Sequence, residues 1–272
     1  MLEINPLDHP LAYGEPRRLT PFSAWHEHIP FAMLLVDLAR PGTLVELGTH
    51  AGDSYCAFCQ AVDELALDSK CFAIDTWAGD KHSAAYGPEI LADLRSHHDP
   101  LYGRFSELLQ STFDNALSRF GDRSIDVLHI DGFHTYEAVR HDFESWLPKI
   151  SSRGIVLFHD TAVTGFGFGV KTFWDEVRMR YPAFEFVHGN GLGVLGVGEH
   201  LPDAVQALFD LKPEEALALS GLLSALGRRL SLQIEVARLQ GKIGEIKRSI
   251  GWRALRRLER LKIRLLPEDE KY

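Results

Sequence analysis

The side chains best suited to chemistry fall in two short stretches. One is LHIDGFHTYEAVRHDF, Leu128 to Phe143, and the other is GIVLFHD, Gly154 to Asp160. Each opens as an apolar run and meets an acid, Asp131 in the first and Asp160 in the second. His134 follows Asp131 by three residues, and His159 directly precedes Asp160. Two carboxylates at neighbouring strand ends can share a hard cation such as Mg²⁺, which prefers oxygen ligands. Such a cation would hold the vicinal hydroxyls of a substrate and ease loss of a proton from one of them. An imidazole titrates near neutrality, so His134 can instead take that proton as a general base. The plainer reading makes His134 a helix cap. Thr135 with Glu137 or Ala138 completes no capping box, so capping explains less of this stretch than catalysis does. His129 alternates within the apolar run and reads as a core residue. His141 and Asp142 lie two turns into the following helix and read as solvated.

These residues need elements to bring them together. From Thr43 to Gly198 short apolar runs alternate with helical patterns. The runs are TLVELG (Thr43 to Gly48), KCFAID (Lys70 to Asp75), SELLQS (Ser106 to Ser111), IDVLHID (Ile125 to Asp131) and GIVLFHD. Near-continuous apolarity suits strands buried on both faces of a parallel sheet. Helical patterns follow the first, third, fourth and fifth runs; in TYEAVRHDFESWL, Ala138, Phe143, Trp146 and Leu147 can form an inward stripe. The alternation predicts an α/β fold with a doubly wound, mostly parallel sheet. FEFVHGNGLGVLGVG then reads as an antiparallel hairpin turning at Gly189-Asn190-Gly191, because Asn-Gly tolerates positive φ. Residues 20 to 40 read as a helix capped by Thr20 and closed by Pro41-Gly42.

The turn after the first run, VELGTHAGDS, lacks the G-x-G-x-x-G spacing that seats a pyrophosphate on a helix N-terminus. Glu46 would also repel that anion and suits a ligand bearing an ammonium group. Gly48 and Gly52 would let the backbone approach a carboxylate or a ribose; an ordinary strand-to-helix turn is the alternative. Asp75 ends the second run and can accept two ribose hydroxyls, or cap a helix. Taken together, these residues suit an adenosine ligand with an amino-acid tail.

At this point the segments LVELGTHAGDSY, AIDTWAGDKHSAAYG, LLQSTFDNAL, DVLHIDGFHTYEAVRHDFESWLPKISSRGIVLFHDT and GNGLGVLGVG resemble successive blocks of a class I S-adenosylmethionine-dependent methyltransferase. The chain looks like the bacterial family 24 subgroup found with polysaccharide gene sets and is similar to the macrolide-sugar O-methyltransferases, over roughly residues 20 to 200. The resemblance implies a seven-stranded sheet. It also implies S-adenosylmethionine as methyl donor and a sugar or glycan-precursor hydroxyl as acceptor. By position, Glu46, Gly48, Thr49, His50 and Gly52 would line the methionine part and Asp75 would take the ribose. Thr76 and Trp77 would flank the adenine or the mouth, Trp77 being equally readable as packing. Ser111 and Thr112 would lie near the adenine. In the sugar enzymes an Asp-x-x-His supplies a metal ligand and a base, as Asp131 and His134 would here. They also carry two adjacent acids after the fifth strand, where this chain has His159-Asp160. The metal set expected here is therefore Asp131, Asp160 and His159, for Mg²⁺ or another divalent metal. A nicotinamide-dependent oxidoreductase, or a non-catalytic scaffold in a glycan-synthesis assembly, remain as other functions for such a sheet.

Composition bounds the rest. The 272 residues carry a net charge of -9, which disfavours a nucleic-acid partner. Cys56 and Cys59 form a C-x-x-C without a second pair and read as core residues rather than a zinc site. With no run of about twenty apolar residues and no leader-like start, the expected compartment is the cytoplasm. Residues 1–200 are expected to form the methyltransferase domain with its N-terminal helix, and 201–272 a helical extension. From Lys242 to Arg264 nine residues are basic and two acidic. With Leu255, Leu258, Leu261, Ile263 and Leu265 interspersed, this basic amphipathic segment is expected to meet a second copy, a protein partner or an anionic surface at the inner membrane face. TAVTGFGFGVKTFW, Thr161 to Trp174, where Gly165, Gly167 and Gly169 alternate with Phe166 and Phe168, reads as an aromatic substrate lid or a plain connecting loop, and GDKHSAAYG after Trp77 as the opposite wall.

Overall fold

The computed structural model describes residues 4–79, 87–165, 167–249 and 251–252. Most of the expected GDKHSAAYG wall, Phe166 of the lid, and the apolar tail residues from Leu255 to Leu265 lie outside the described residues.

Helix α1 (Ile29–Ala39) precedes β1 (Thr43–Leu47), α2 (Asp53–Glu64), β2 (Lys70–Asp75), α3 (Pro88–Tyr102) and β3 (Ser106–Gln110). Then come α4 (Phe113–Ala116), β4 (Ile125–Ile130), α5 (Tyr136–Trp146), β5 (Ile150–His159) and α6 (Val170–Val177). The hairpin β6 (Ala183–Phe186) and β7 (Leu192–Gly196) closes the sheet, and α7 (Asp203–Phe209) and α8 (Pro213–Arg248) follow. The sheet runs β3-β2-β1-β4-β5-β7-β6. Its first five strands are parallel, and β7 pairs antiparallel with both β5 and β6. This is the doubly wound sheet with a terminal antiparallel hairpin that the run pattern predicts.

Register decides what meets at the sheet's C-terminal edge. Leu47 stands beside Ile74 and Ile130, and Ile130 beside Phe158. The next residue on each strand is therefore Gly48, Asp75, Asp131 or His159, so all four tips fall in one row. The row is anchored from below by a core in which Val45, Leu128, Phe158, Phe143 and Trp146 are buried together. Each large apolar side chain so buried contributes about 1.5–3 kcal/mol of transfer free energy.

Several local expectations change. The segment from Thr20 does not form one helix: Ser23–His28 is a 3₁₀ turn, and the α-helix starts at Ile29. The Thr20 hydroxyl donates to Asp53 (2.5 Å) instead of capping that helix. The inward stripe of α5 uses Val139, Asp142, Phe143 and Trp146, with Ala138 and Leu147 only half-buried. Asp142 is thus buried, not solvated. Helix α3 has no counterpart in the sequence reading, though Pro88 at its first turn and Leu91, Leu94, His98 and Tyr102 on one buried face are its signature. The three cysteines are free and buried.

The chain divides into two compact units, Met1–Arg229 and Leu230–Tyr272. The first therefore runs past residue 200, because Val205 and Leu208 of α7 and Leu219 and Leu223 of α8 are buried. No described helix is long and apolar enough to cross a membrane.

Candidate functional site

The row of strand tips opens into a cavity of about 590 Å³, within the range of small-molecule sites. It lies at the carboxyl ends of the strands, where open α/β sheets bind ligands.

On the β1 and β2 side, backbone defines the wall. Gly48 has φ +85°, and a Cβ there would lie 2.0 Å from the carbonyl oxygen of Asp131. Only glycine lets the turn after β1 press against the tip of β4. Asp75 Oδ2 accepts the N–H groups of Thr49 and His50, both at 2.9 Å, and its Oδ1 accepts that of Trp77 at 2.7 Å. One carboxylate thus ties the β1 turn to the β2 turn. A carboxylate has roughly four acceptor sites, so about one is left for a ligand hydroxyl. The Thr49 hydroxyl is buried on the cavity wall without a partner among the described residues. Thr76, Gly79, Thr112 and Phe113 continue the wall.

Four cofactor-side expectations, Glu46, Gly52, Trp77 and Ser111, lie outside the cavity lining. Glu46 is fully buried and accepts from His129 Nδ1 at 2.8 Å, so it pairs with a core histidine and lies off the cavity wall. Gly52 caps α2 against Leu94. Trp77 is 3% exposed and donates its indole N–H to the His50 carbonyl oxygen, which makes it a packing residue locking two turns together. Ser111 turns its hydroxyl onto the Thr112 carbonyl oxygen. Thr112 lines the cavity while capping α4.

On the β4 and β5 side, charge defines the wall. His134 Nε2 lies 3.0 Å from Asp160 Oδ2 and 3.7 Å from Asp131 Oδ1. Asp131, His134 and Asp160 each present one ligand atom within 4.8 Å of the others. His159, expected in the metal set, is not part of this cluster. Its Nδ1 contacts Asp131 Oδ1 at 3.2 Å, and its ring is 3% exposed behind the row. His159 therefore backs Asp131, and His134 takes its place beside the two acids. The His159 Nδ1 also lies 3.5 Å from Asp160 Oδ1, so His159 touches both acids from behind.

Charges balance within the cluster. Burial opposes ionisation of Asp131, but the His159 charge and hydrogen bonds from both histidines hold it well below the usual carboxylate range. Burial likewise acts on Asp160, and the same two imidazoles bring it down to about 2. Burial would lower His134, yet hydrogen bonds to Asp131 and Asp160 raise it to about 9. His159 is raised well above its ordinary value, because both carboxylates outweigh its burial. Two carboxylates are thus matched by two imidazolium ions at neutral pH. As it stands, His134 carries the proton it would need to lose to act as a base.

His134 is held from two sides. Its carbonyl oxygen accepts the Gly169 N–H at 2.8 Å, and its ring stacks on Phe168 with centroids 4.6 Å apart and planes 13° apart. The helix cap that follows is Thr135, which accepts from the Ala138 N–H, so His134 is free of that duty. Phe168 and Val163 line the cavity from the loop after β5.

The sequence reading gave no site role to five wall residues: Ala24, Phe113, Gly132, Phe133 and Asn190. Asn190 was legible only as a turn residue. The hairpin turn is sewn to the β5 loop by the Ala162 N–H to the Asn190 carbonyl oxygen at 2.8 Å. Gly191 permits this, since a Cβ there would lie 2.4 Å from the Ala162 nitrogen. His28 Nε2 contacts the Gly189 carbonyl oxygen at 2.8 Å and steadies the turn from behind. His50, Asp160 and Asn190, three non-glycine cavity residues, all have positive φ. Such conformations cost roughly 1–3 kcal/mol each and gather at functional sites.

The strand order, the terminal hairpin and the position of the cavity define a class I methyltransferase fold. Residues 45–161 match the profile of the family described as methyltransferase domain, family 24, so this segment is similar to that family's domain. A protein of Sinorhizobium fredii described as uncharacterized protein y4gI is 46% identical over 206 residues. That match covers 76% of this chain and 22% of the relative, so the chain spans about a fifth of that protein's length. Among solved structures, the O-methyltransferase TomG of Streptomyces achromogenes, in complex with S-adenosylmethionine, is 14% identical with a TM-score of 0.49. Its match covers 67% of this chain and 83% of that one. The methyltransferase PaMTH1 of Podospora anserina, bound to S-adenosylhomocysteine, is 13% identical with a TM-score of 0.47, covering 62% and 76%. At that level of superposition the strand order, not the likeness, carries the fold assignment.

Proposed function

We propose that this chain transfers a methyl group from S-adenosylmethionine to a hydroxyl of a sugar or glycan precursor. The observation that carries the reading is the two-sided cavity. A glycine-turn cradle lies on one side, and an Asp131–His134–Asp160 cluster faces it across the same strand-tip row. S-adenosylmethionine supplies an activated methyl group on its sulfonium. Gly48 lets the β1 turn close onto the tip of β4 and so shapes the cradle for its amino-acid end, and the Thr49 hydroxyl offers that end an unspent polar group. The remaining acceptor site of Asp75 suits a ribose hydroxyl.

Asp131, Asp160 and His134 fit a divalent cation by their donor types and by the closeness of their ligand atoms. Such a cation would supply Lewis-acid polarisation of the acceptor hydroxyl. The chain's own contribution is to orient that hydroxyl toward the donor, because proximity supplies much of the rate in a displacement of this kind. His159 keeps Asp131 ionised and in place. Ala24, Val163 and Phe168 exclude water from the acceptor side, and the Asn190 amide offers a hydrogen bond to a neighbouring hydroxyl. A second reading, with His134 as base, is favoured by its stacking on Phe168 and its direct contact with Asp160, and it requires prior loss of the imidazolium proton.

Two experiments test this. Calorimetry with S-adenosylmethionine should give micromolar binding; no binding at millimolar donor would overturn the cofactor assignment. Methyl transfer from labelled donor to a panel of methyl glycosides should appear with Mg²⁺ or Mn²⁺ and vanish after exhaustive chelation. Full transfer after chelation would reject the cation and leave His134 as base.

A further inference from the structure

The last compact unit begins at Leu230, within α8. There Leu232, Val236, Leu239, Ile243 and Ile246 are each between 45% and 57% exposed. Their spacing is four, three, four and three residues, and the sequence continues it to Ile250. A strict four-three repeat is the seam of a coiled coil, narrower than the broad apolar face of a core-packed or membrane-lying helix. Residue types sharpen the reading. Val236 and Ile243 occupy one set of seam positions, which the sequence spacing extends to Ile250, and Leu232, Leu239 and Ile246 the other. β-Branched residues alternating with mainly leucine in this order favour two parallel strands.

We infer that this stripe pairs with the same stripe of a second copy of the chain in a parallel two-stranded coiled coil. Facing seams of this length remove on the order of 1,000 Å² from water, the size at which specific interfaces begin. The seam has mixed flanks, Glu235 and Gln240 as well as Lys242 and Lys247, where an anionic surface would select a uniformly basic border. Gly241 and Gly244 lie off the seam, and a Cβ on Gly241 would meet nothing within 4 Å. Glycines weaken a lone helix, so this stretch needs a partner to be stable. In parallel register Lys242 comes beside the partner's Lys247. Pairing therefore rests on the apolar seam and strengthens with salt, whereas attachment to an anionic surface weakens with it.

The test is the solution mass of the full chain by light scattering at tens of micromolar. The expected mass is twice 30.6 kDa, with tighter association in 1 M than in 0.1 M salt. The pair Leu239→Asp and Ile243→Asp should give a monomer whose thermal melt keeps its main transition. Gly241→Ala with Gly244→Ala should lower the dissociation constant at least tenfold by the helix propensity gained, roughly 1 kcal/mol at each glycine. A wild-type monomer, a trimer, or a dimer that survives the aspartate pair would each overturn the inference. So would sedimentation with phosphatidylglycerol vesicles by a chain that stays monomeric.

Discussion

The two walls of the cavity are built on opposite plans. On the β1 and β2 side the Asp75 carboxylate is almost entirely spent on three backbone N–H groups, and what the described residues of this wall offer is mainly shape. On the β4 and β5 side Asp131, His134 and Asp160 are satisfied by one another and by His159. They can exchange those partners for a ligand without breaking the fold's own hydrogen bonds. Under the proposed function, the rigid wall would hold the methyl donor and the charge cluster would meet the acceptor.

Breaking one wall at a time should expose this division. The largest effect is expected from Asp160→Ala, which removes a charge-bearing group and leaves His134 with one acid. Turnover should fall by about 10³-fold while donor affinity changes less than about threefold. Equal losses in both would show that the walls are not separate. Gly48→Ala should act on both at once, since the new Cβ meets the Asp131 carbonyl oxygen. We expect donor affinity, read by calorimetry, to drop more than about 50-fold and stability to fall by about 2–4 kcal/mol. Asp75→Asn keeps the shape but turns one acceptor into a donor aimed at N–H groups. A roughly tenfold loss of donor affinity with unchanged acceptor KM is the expected signature. Asn190→Ala should do the reverse, raising acceptor KM about fivefold to tenfold and leaving the donor alone.

The smallest effect on activity, with a clear one on stability, is expected at Asp142. This carboxyl is buried beneath Gly132, and burial pushes it up to about 7. The folded chain holds that proton to about pH 7, whereas the unfolded carboxyl releases it near pH 4. The fold therefore binds more protons between those values, and its stability declines as pH rises through that window. Asp142→Asn should remove the decline, adding on the order of 3 kcal/mol at pH 8 and little at pH 4 in urea unfolding. An unchanged pH profile would place the proton elsewhere.

Much of the frame was legible in the sequence because buried parallel strands are continuous apolar runs. Asp75, Asp131 and Asp160 could be read as tip residues, since each closes such a run. What sequence spacing could not convey is which side chains turn together at the tips. His134 reaches Asp160 from the neighbouring strand's loop, 26 positions away, and no residue spacing records that approach. Glu46 was misplaced for a related reason. Its partner, His129, lies on the next strand, 83 positions away, and only register brings them together. Ala24 and Asn190 were invisible as site residues because long-range packing of a 3₁₀ turn and a hairpin carries them to the cavity.

The hairpin has a further consequence for how the protein is made. Because β7 inserts between β5 and β6, the outer edge of β5 has no partner strand until β7 has been made. A nascent chain that has emerged only as far as β6 leaves the long, apolar β5 open as a template for foreign strands. Asn190 and the β7 residues that seal this edge arrive in one stroke. Ligand-binding competence and protection from aggregation are then acquired at the same moment of synthesis.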